Sequence, residues 1–223
     1  FPVNTFPGKI TVKIDGEKLV PGNDFVINAS NPSLKGKFPL HFLPDSIDSR
    51  EKLERYLAQR DHSNAFLVTN VNARNFYGFT VEGIKGVIIL TEKMPGWHVS
   101  GSNKVDTTFW MKIRKEKINP QSGYIQVKAK NEFVENYHTR NVIGYVKGRK
   151  KPDRFIVFTA HYDHLGMIGK NTYFPGANDN GSGTAMLMDL ARHYAQKRNK
   201  PDYSIAFMAF SGEEAGLYGS SYY

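Results

Sequence analysis

Cysteine is absent from the 223 residues. Its absence removes disulfides, thiolate metal ligands and cysteine nucleophiles together. Imidazole, carboxylate and hydroxyl groups are left to carry any chemistry, and the compartment is not fixed by this alone. Long hydrophobic runs are also lacking. The longest, Phe155–Phe158 and Ile205–Phe210, fall far short of the roughly 20 residues of a membrane-spanning helix, so no transmembrane segment is expected. No basic-then-apolar leader is visible at the start of the sequence. Acids are outnumbered, 21 against 30 Lys and Arg, for a net charge of +9. Such an excess suits nucleic acid or an anionic membrane. The basic residues, however, are scattered: Lys9, Lys13, Lys18, Lys35, Lys37, Lys85, Lys112 and Lys128. The one dense cluster, Lys147 to Arg154, contains Gly148, Pro152 and Asp153 and reads as a solvated turn. No aromatic–basic motif of an RNA-binding sheet is present. The excess is therefore assigned to solubility, with no specific nucleic-acid partner.

What is present is an ordinary soluble composition, 40% hydrophobic and 23% charged, which excludes a disordered tail, a collagen-like repeat and a coiled coil. At roughly 100–200 residues per domain, the length suits one large domain or two small ones. The first half is rich in strand signals. Ile10, Val12 and Ile14 alternate with polar residues before an Asp15-Gly16 turn, and Asp24–Ala29 reads as another strand. A helix is expected over Arg50–Gln59, with Asp48 as its N-cap, Glu51 completing a capping box and Leu53, Tyr56 and Leu57 on one face. Strands Ala65–Thr69 and Gly86–Thr91 follow.

The second half changes character. Thr107–Ile113, Gly123–Ala129 and Arg140–Val146 read as strands. Phe155–Ala160 is a near-continuous apolar run of the kind buried on both faces of a sheet. A helix over about Ser182–Arg198, capped by Ser182 or Asn180, carries Ala185, Met188, Ala191, Tyr194 and Ala195 at the spacing of a buried stripe. Tyr203–Phe210 is a second buried strand. Strand, helix, strand in this order predicts a parallel pair with helix cover.

In such a sheet the ligand-binding edge lies beyond the carboxyl ends of the strands. Three polar clusters fall there: His161-Tyr162-Asp163-His164, Asn178-Asp179-Asn180-Gly181 and Gly212-Glu213-Glu214. Taken singly they read as a hydrogen-bonded pair, a turn with a helix cap, and acids complementing a helix dipole. Taken together they offer nitrogen and oxygen ligands without sulfur, which suit catalytic zinc. A histidine can bind one ion and a carboxylate can bridge two. In the Glu213-Glu214 pair the adjacent side chains diverge, so that one can ligate while the other serves as general base. Asp163, two residues after His161, is placed to accept the imidazole's other N–H and fix its tautomer.

The runs Ala160–Gly166, Gly176–Gly183 and Phe210–Ser220, in this order and spacing, closely resemble the co-catalytic di-zinc aminopeptidase family, which includes secreted bacterial leucyl aminopeptidases and glutamate carboxypeptidase. The resemblance is clear over about Thr139–Tyr223, with Asn141-Val142-Ile143-Gly144 also similar. It implies an α/β fold: a mixed, mostly parallel sheet with flanking helices, as in zinc exopeptidases, plus a smaller β-rich accessory domain. It implies two zinc ions, with His161 on one, Asp179 bridging both and Glu214 on the second. Glu213 is then the general base, Asp163 orients His161, and the peptide bond after Asp179 is cis. The activity implied is removal of an N-terminal residue from a peptide substrate by metal-activated water. A glutaminyl cyclase-like acyltransferase and a non-catalytic binding ectodomain of the same fold are the alternatives.

Residues 1–106 are expected to be the accessory region, similar to a protease-associated domain, with strand, helix, strand from about Leu40 to Thr91. Residues 107–223 are expected to be the N-terminal part of the catalytic domain. The family pattern includes a further Asp and His after the Glu-Glu motif, and neither occurs in the nine residues after Glu214. Those ligands are expected beyond Tyr223, so the 223-residue chain alone is expected to be inactive. His41, His62, His98 and His138 are not assigned as replacements. His164 is expected to pack or hydrogen-bond near the loop, and His193 to be a satisfied surface or interface histidine on the helix. Export to the periplasm or the medium is implied by the resemblance alone. Side-chain preference and oligomeric state are not set by the sequence.

Overall fold

The computed structural model describes residues 1–70 and 83–223. The chain divides into two compact units, Pro2–Glu135 with Met167–Tyr173, and Phe1 with Asn136–Gly166 and Phe174–Tyr223.

The first unit runs β1 (Val3–Thr5), β2 (Thr11–Ile14), β3 (Glu17–Lys18), β4 (Phe25–Ile27), β5 (Leu34–Phe42), helix α1 (Arg50–Leu57), β6 (Phe66–Thr69), β7 (Gly86–Thr91), β8 (Phe109–Arg114), β9 (Tyr124–Ala129) and β10 (Glu132–Val134). Eight strands form one sheet in the order β3-β2-β9-β5-β6-β7-β8-β4, and β1 pairs with β10 apart from it. The centre, β5 to β8, is parallel, and both flanks are antiparallel. The alternation read from β2 holds. Val12 and Ile14 stand opposite Val127 and Ile125 on the core side, and the Asp15-Gly16 turn takes left-handed backbone at both residues, φ 48° and 95°.

Helix α1 buries Leu53 against Leu43, Ile47, Leu67, Val87, Ile89 and Trp110, with Tyr56 and Leu57 beside it. Burying one leucine is worth about 1.5–3 kcal/mol, which is what fastens this short helix to the sheet. Its N-cap is Ser49, whose hydroxyl accepts Lys52 N–H. The cap expected at Asp48 is not formed, because Asp48 pairs with the Lys52 ammonium at 2.8 Å. Glu51 pairs with Arg55 instead of closing a capping box. Residues 71–82, inside the expected Leu40–Thr91 unit, lie outside the described residues.

The boundary between the two units differs from the one read off the sequence. The division falls at Asn136, not at residue 107, because β8 and β9 are built into the large sheet between or beside its parallel strands.

The second unit holds β11 (Val142–Val146), β12 (Lys151–His161), helix α2 (Gly183–Ala195), β15 (Tyr203–Phe210) and the short α3 (Tyr218–Tyr222). Between β12 and α2 lie β13 (Gly166–Ile168) and β14 (Thr172–Phe174), a separate two-stranded pair. The three-stranded sheet has the order β11-β15-β12. β15 runs parallel to β12 and antiparallel to β11. The strand–helix–strand crossover expected from the sequence is thus present, within a mixed sheet. The Phe155–Ala160 run is not buried on both faces: Phe155, Ile156 and Val157 are each about half exposed, because β12 is an edge strand with β15 as its neighbour among the described residues. The buried face of α2 is also rotated from the expected stripe. Leu187, Leu190, Ala191 and Tyr194 pack on Ala160, Ile205 and Phe207, while Met188 is 69% exposed. Ser182 holds the N-cap position of α2 without a side-chain cap bond, and Asn180 Oδ1 accepts Gly183 N–H at 3.1 Å. Ser182 instead donates its hydroxyl to Asn178 O.

Candidate metal centre

The parallel pairing of β12 with β15 sets His161 directly across from Phe210. The polar residues that follow each strand therefore emerge side by side, and α2 brings the Asp179 turn to the same edge. Thr184 at the start of α2 donates its hydroxyl to His161 O at 2.9 Å, tying helix to strand end.

His161 is the hub. Its Nε2 lies 3.0 Å from Asp179 Oδ1 and 3.8 Å from Glu213 Oε2, so one ring nitrogen faces two carboxylates. The other, Nδ1, meets the main-chain oxygen of Asp163 at 3.2 Å. The Asp163 carboxylate is 3.8 Å from that nitrogen, beyond hydrogen-bond reach. Asp163 therefore holds the ring through its carbonyl and not, as expected, through its side chain. The carboxylate is occupied elsewhere: it accepts Glu213 N–H through Oδ1 and Glu214 N–H through Oδ2, each at 3.2 Å. Charge-assisted bonds to main-chain N–H groups are among the stronger ones, and here they fix the turn that carries the Glu-Glu pair.

That turn is clamped from its ends as well. Asn141 accepts Ser211 N–H at 3.2 Å and donates to Gly219 O at 2.8 Å, spanning the segment that contains Glu213 and Glu214. Thr139 and Ser211 share a hydroxyl–hydroxyl bond. Gly219 is packed so closely that an added Cβ would stand 2.1 Å from Ser211 O, which no larger residue can meet. Asp179 sits in an irregular turn, Ala177–Ser182, before α2, and the Asp179–Asn180 peptide is cis, as the resemblance implies.

Glu214 turns inward. Its Oε1 lies 2.8 Å from His164 Nδ1, yet neither of these buried atoms makes an aligned hydrogen bond. His164 is thus a neighbour of the site, near the loop as expected, with Glu214 as a partner that the sequence reading did not name. The signal was its place directly after Asp163 on the same loop. His193 is exposed on α2, as expected. Among the described residues no group of three His, Asp or Glu side chains converges on one ion position. The structure brings His161, Asp179 and Glu213 together and seats Glu214 on the same turn, facing His164.

Residues 141–223 match the family model described as Peptidase family M28. Aminopeptidase YwaD of Bacillus subtilis is 36% identical over 146 residues, 63% of this chain and 30% of its own length. A probable zinc metalloprotease of Pyricularia oryzae is 35% identical over 136 residues, 60% of this chain and 24% of its own. Among solved structures, the zinc aminopeptidase BSAP from Bacillus subtilis superposes with a TM-score of 0.64 at 25% identity, covering 100% of this chain and 53% of that one. The aminopeptidase from Aneurinibacillus sp. strain AM-1 gives 0.61 at 22% identity, over 54% of its chain. The resemblance to the co-catalytic zinc exopeptidases is thereby shown, and the fold is the mixed α/β fold of those structures. The chain spans about half the length of these solved relatives.

Proposed function

We propose that this chain is part of a zinc-dependent exopeptidase, an aminopeptidase that hydrolyses the N-terminal bond of a peptide. The observation that carries the reading is the Asp163 carboxylate accepting both Glu213 and Glu214 N–H beside His161, whose Nε2 faces Asp179 and Glu213.

The donors fit zinc. They are imidazole and carboxylate without thiolate, and Glu214 Oε1 is a buried oxygen with no aligned hydrogen bond. His161, Asp179 and Glu214 would hold the metal, and the complete enzyme would hold two ions with Asp179 shared between them. Zinc, when bound, polarises a carbonyl and brings the pKa of water to about 7. Glu213 takes a proton from the attacking water as the C–O bond forms. It returns that proton to the departing amine as the C–N bond breaks. Asp163 acts through the turn it anchors, and Asn141 holds that turn from both ends.

The β-rich unit is read as an accessory domain, similar to a protease-associated domain, that shapes access and carries no catalytic residue. Export rests on the resemblance, and fractionation of cells expressing the complete gene product tests it.

The activity is tested on the longest natural chain that contains these residues, with aminoacyl p-nitroanilides and an N-terminally blocked control. Turnover of the free-amine substrate alone, abolished by chelator and restored by zinc, is expected. Turnover that survives full metal removal would end the proposal.

A further inference from the structure

The sequence scatters its lysines, but the first unit gathers several of them on one surface. On the outward side of β2, β9 and β5 the register sets Lys13 opposite Gln126, and Gln126 opposite Lys37. One step along, Thr11 stands opposite Lys128, and Lys128 opposite Lys35. At the edge, Lys18 of β3 stands opposite Lys13. With strands about 4.8 Å apart and side chains of one face about 7 Å apart along a strand, the five lysines fall within roughly 14 by 7 Å. Lys9 and Lys130, both exposed, stand two residues beyond Thr11 and Lys128 in their chains.

Two of these contacts, Lys13 with Lys18 and Lys35 with Lys128, are like charges directly across a ladder, an arrangement that destabilises a sheet. The acids of the β2–β3 hairpin offset it only in part, Asp15 through its charge near Lys37. Asp15 is committed through Oδ1 to Gly123 N–H and Tyr124 N–H at 3.0 and 3.1 Å, and Glu17 stands opposite Ile14, on the core-side register. Among the described residues none of the five lysines forms a salt bridge.

We infer that this face binds a linear anionic polysaccharide. Thr11, Lys13, Lys35, Gln126 and Lys128 line a shallow, open depression of about 340 Å³. The register sets the lysines in two rows across the strands, Lys18-Lys13-Gln126-Lys37 and Thr11-Lys128-Lys35, a linear spacing that the repeating anionic groups of a chain can follow. Lysines act as point charges toward sulfate and carboxylate groups. Gln126 and Thr11 between them supply neutral hydrogen-bonding groups for hydroxyls. Single-stranded nucleic acid is disfavoured because it binds by stacking bases on aromatic rings. The aromatic of this face is Tyr124, and the Lys37 ammonium already lies 3.5 Å from its ring centroid. The inference is independent of the peptidase reading, since no residue of the metal centre takes part.

The test measures binding of the full chain to fluorescent heparin at several salt concentrations. A K13Q/K35Q/K128Q variant is compared with K85Q/K93Q/K147Q, which removes the same charge elsewhere, and with K13R/K35R/K128R. The K13Q/K35Q/K128Q variant is expected to bind at least tenfold more weakly at 0.15 M salt, with the slope of log K against log salt lowered by about 3, one for each lysine. The distant variant is expected to lose under threefold, and the arginine variant to retain binding. Equal loss in both glutamine variants would mean that net charge alone is read, and would overturn the inference. So would tighter binding of oligo(dT) than of heparin, or binding to phosphatidylserine vesicles without binding to heparin.

Discussion

The carboxylate of Asp163 accepts the main-chain N–H of Glu213 at 3.2 Å, and its second oxygen accepts the next N–H in the chain. A residue expected to steer a histidine therefore steers the turn that carries Glu213, the proposed general base. In Asp163→Asn one acceptor oxygen becomes an amide donor facing a main-chain N–H. In the complete enzyme kcat is expected to fall by about 10–100-fold, with KM and the melting temperature little changed. A rise in KM at constant kcat would show that Asp163 does not act through Glu213.

Glu214 and Glu213 are neighbours with different predicted losses. Glu214→Gln removes the negative charge of the proposed zinc ligand, whose Oε1 lies 2.8 Å from His164 Nδ1, so zinc content measured after dialysis should drop. Glu213→Gln should leave zinc content near that of the parent. Equal zinc loss in both variants would contradict the assignment of separate roles.

His41 and His62 meet Nδ1 to Nδ1 at 2.9 Å, so one ring must donate and the other accept. Burial lowers the His62 pKa below its ordinary 6.5, and His41 and Arg60 push the same way, against Asp61. The sign follows. The unfolded chain takes up the proton more readily, so stability is complete above about pH 6.5 and is lost as pH falls through the lowered folded value. The melting temperature should decline from pH 7.5 to 5, and His62→Leu should shrink that decline. An unchanged decline would remove the pair as its source.

Asn31 is fully buried. Its side chain accepts Trp110 N–H at 2.8 Å and donates to Trp110 O at 2.7 Å. Asn31→Ala takes away the acceptor of a buried main-chain donor and should cost about 1–3 kcal/mol, read by urea denaturation. A cost near zero would show that water replaces the side chain there.

Much of this could be read before the structure. Gly86–Thr91 and Tyr203–Phe210 were delimited to the residue by their apolar runs, and the sheet edge that gathers His161, Asp179 and Glu213 followed from strand–helix–strand order. The failures have common causes. Ser49 took the cap expected at Asp48 because Asp48 had a lysine to pair with, a choice that local pattern does not decide. Phe155, Ile156 and Val157 of β12 remain exposed on both faces because burial depends on neighbours in space. The lysine face was invisible because Lys13, Lys35 and Lys128 are brought together by register, and register is not a local property of any one strand.

The central claim is that Glu213 is the proton carrier of a zinc peptidase site. It is tested most directly by the turnover of leucine p-nitroanilide by the complete zinc-loaded enzyme, parent against Glu213→Gln. The account predicts a fall of about 100-fold or more with zinc content retained. Turnover equal to the parent's would contradict it.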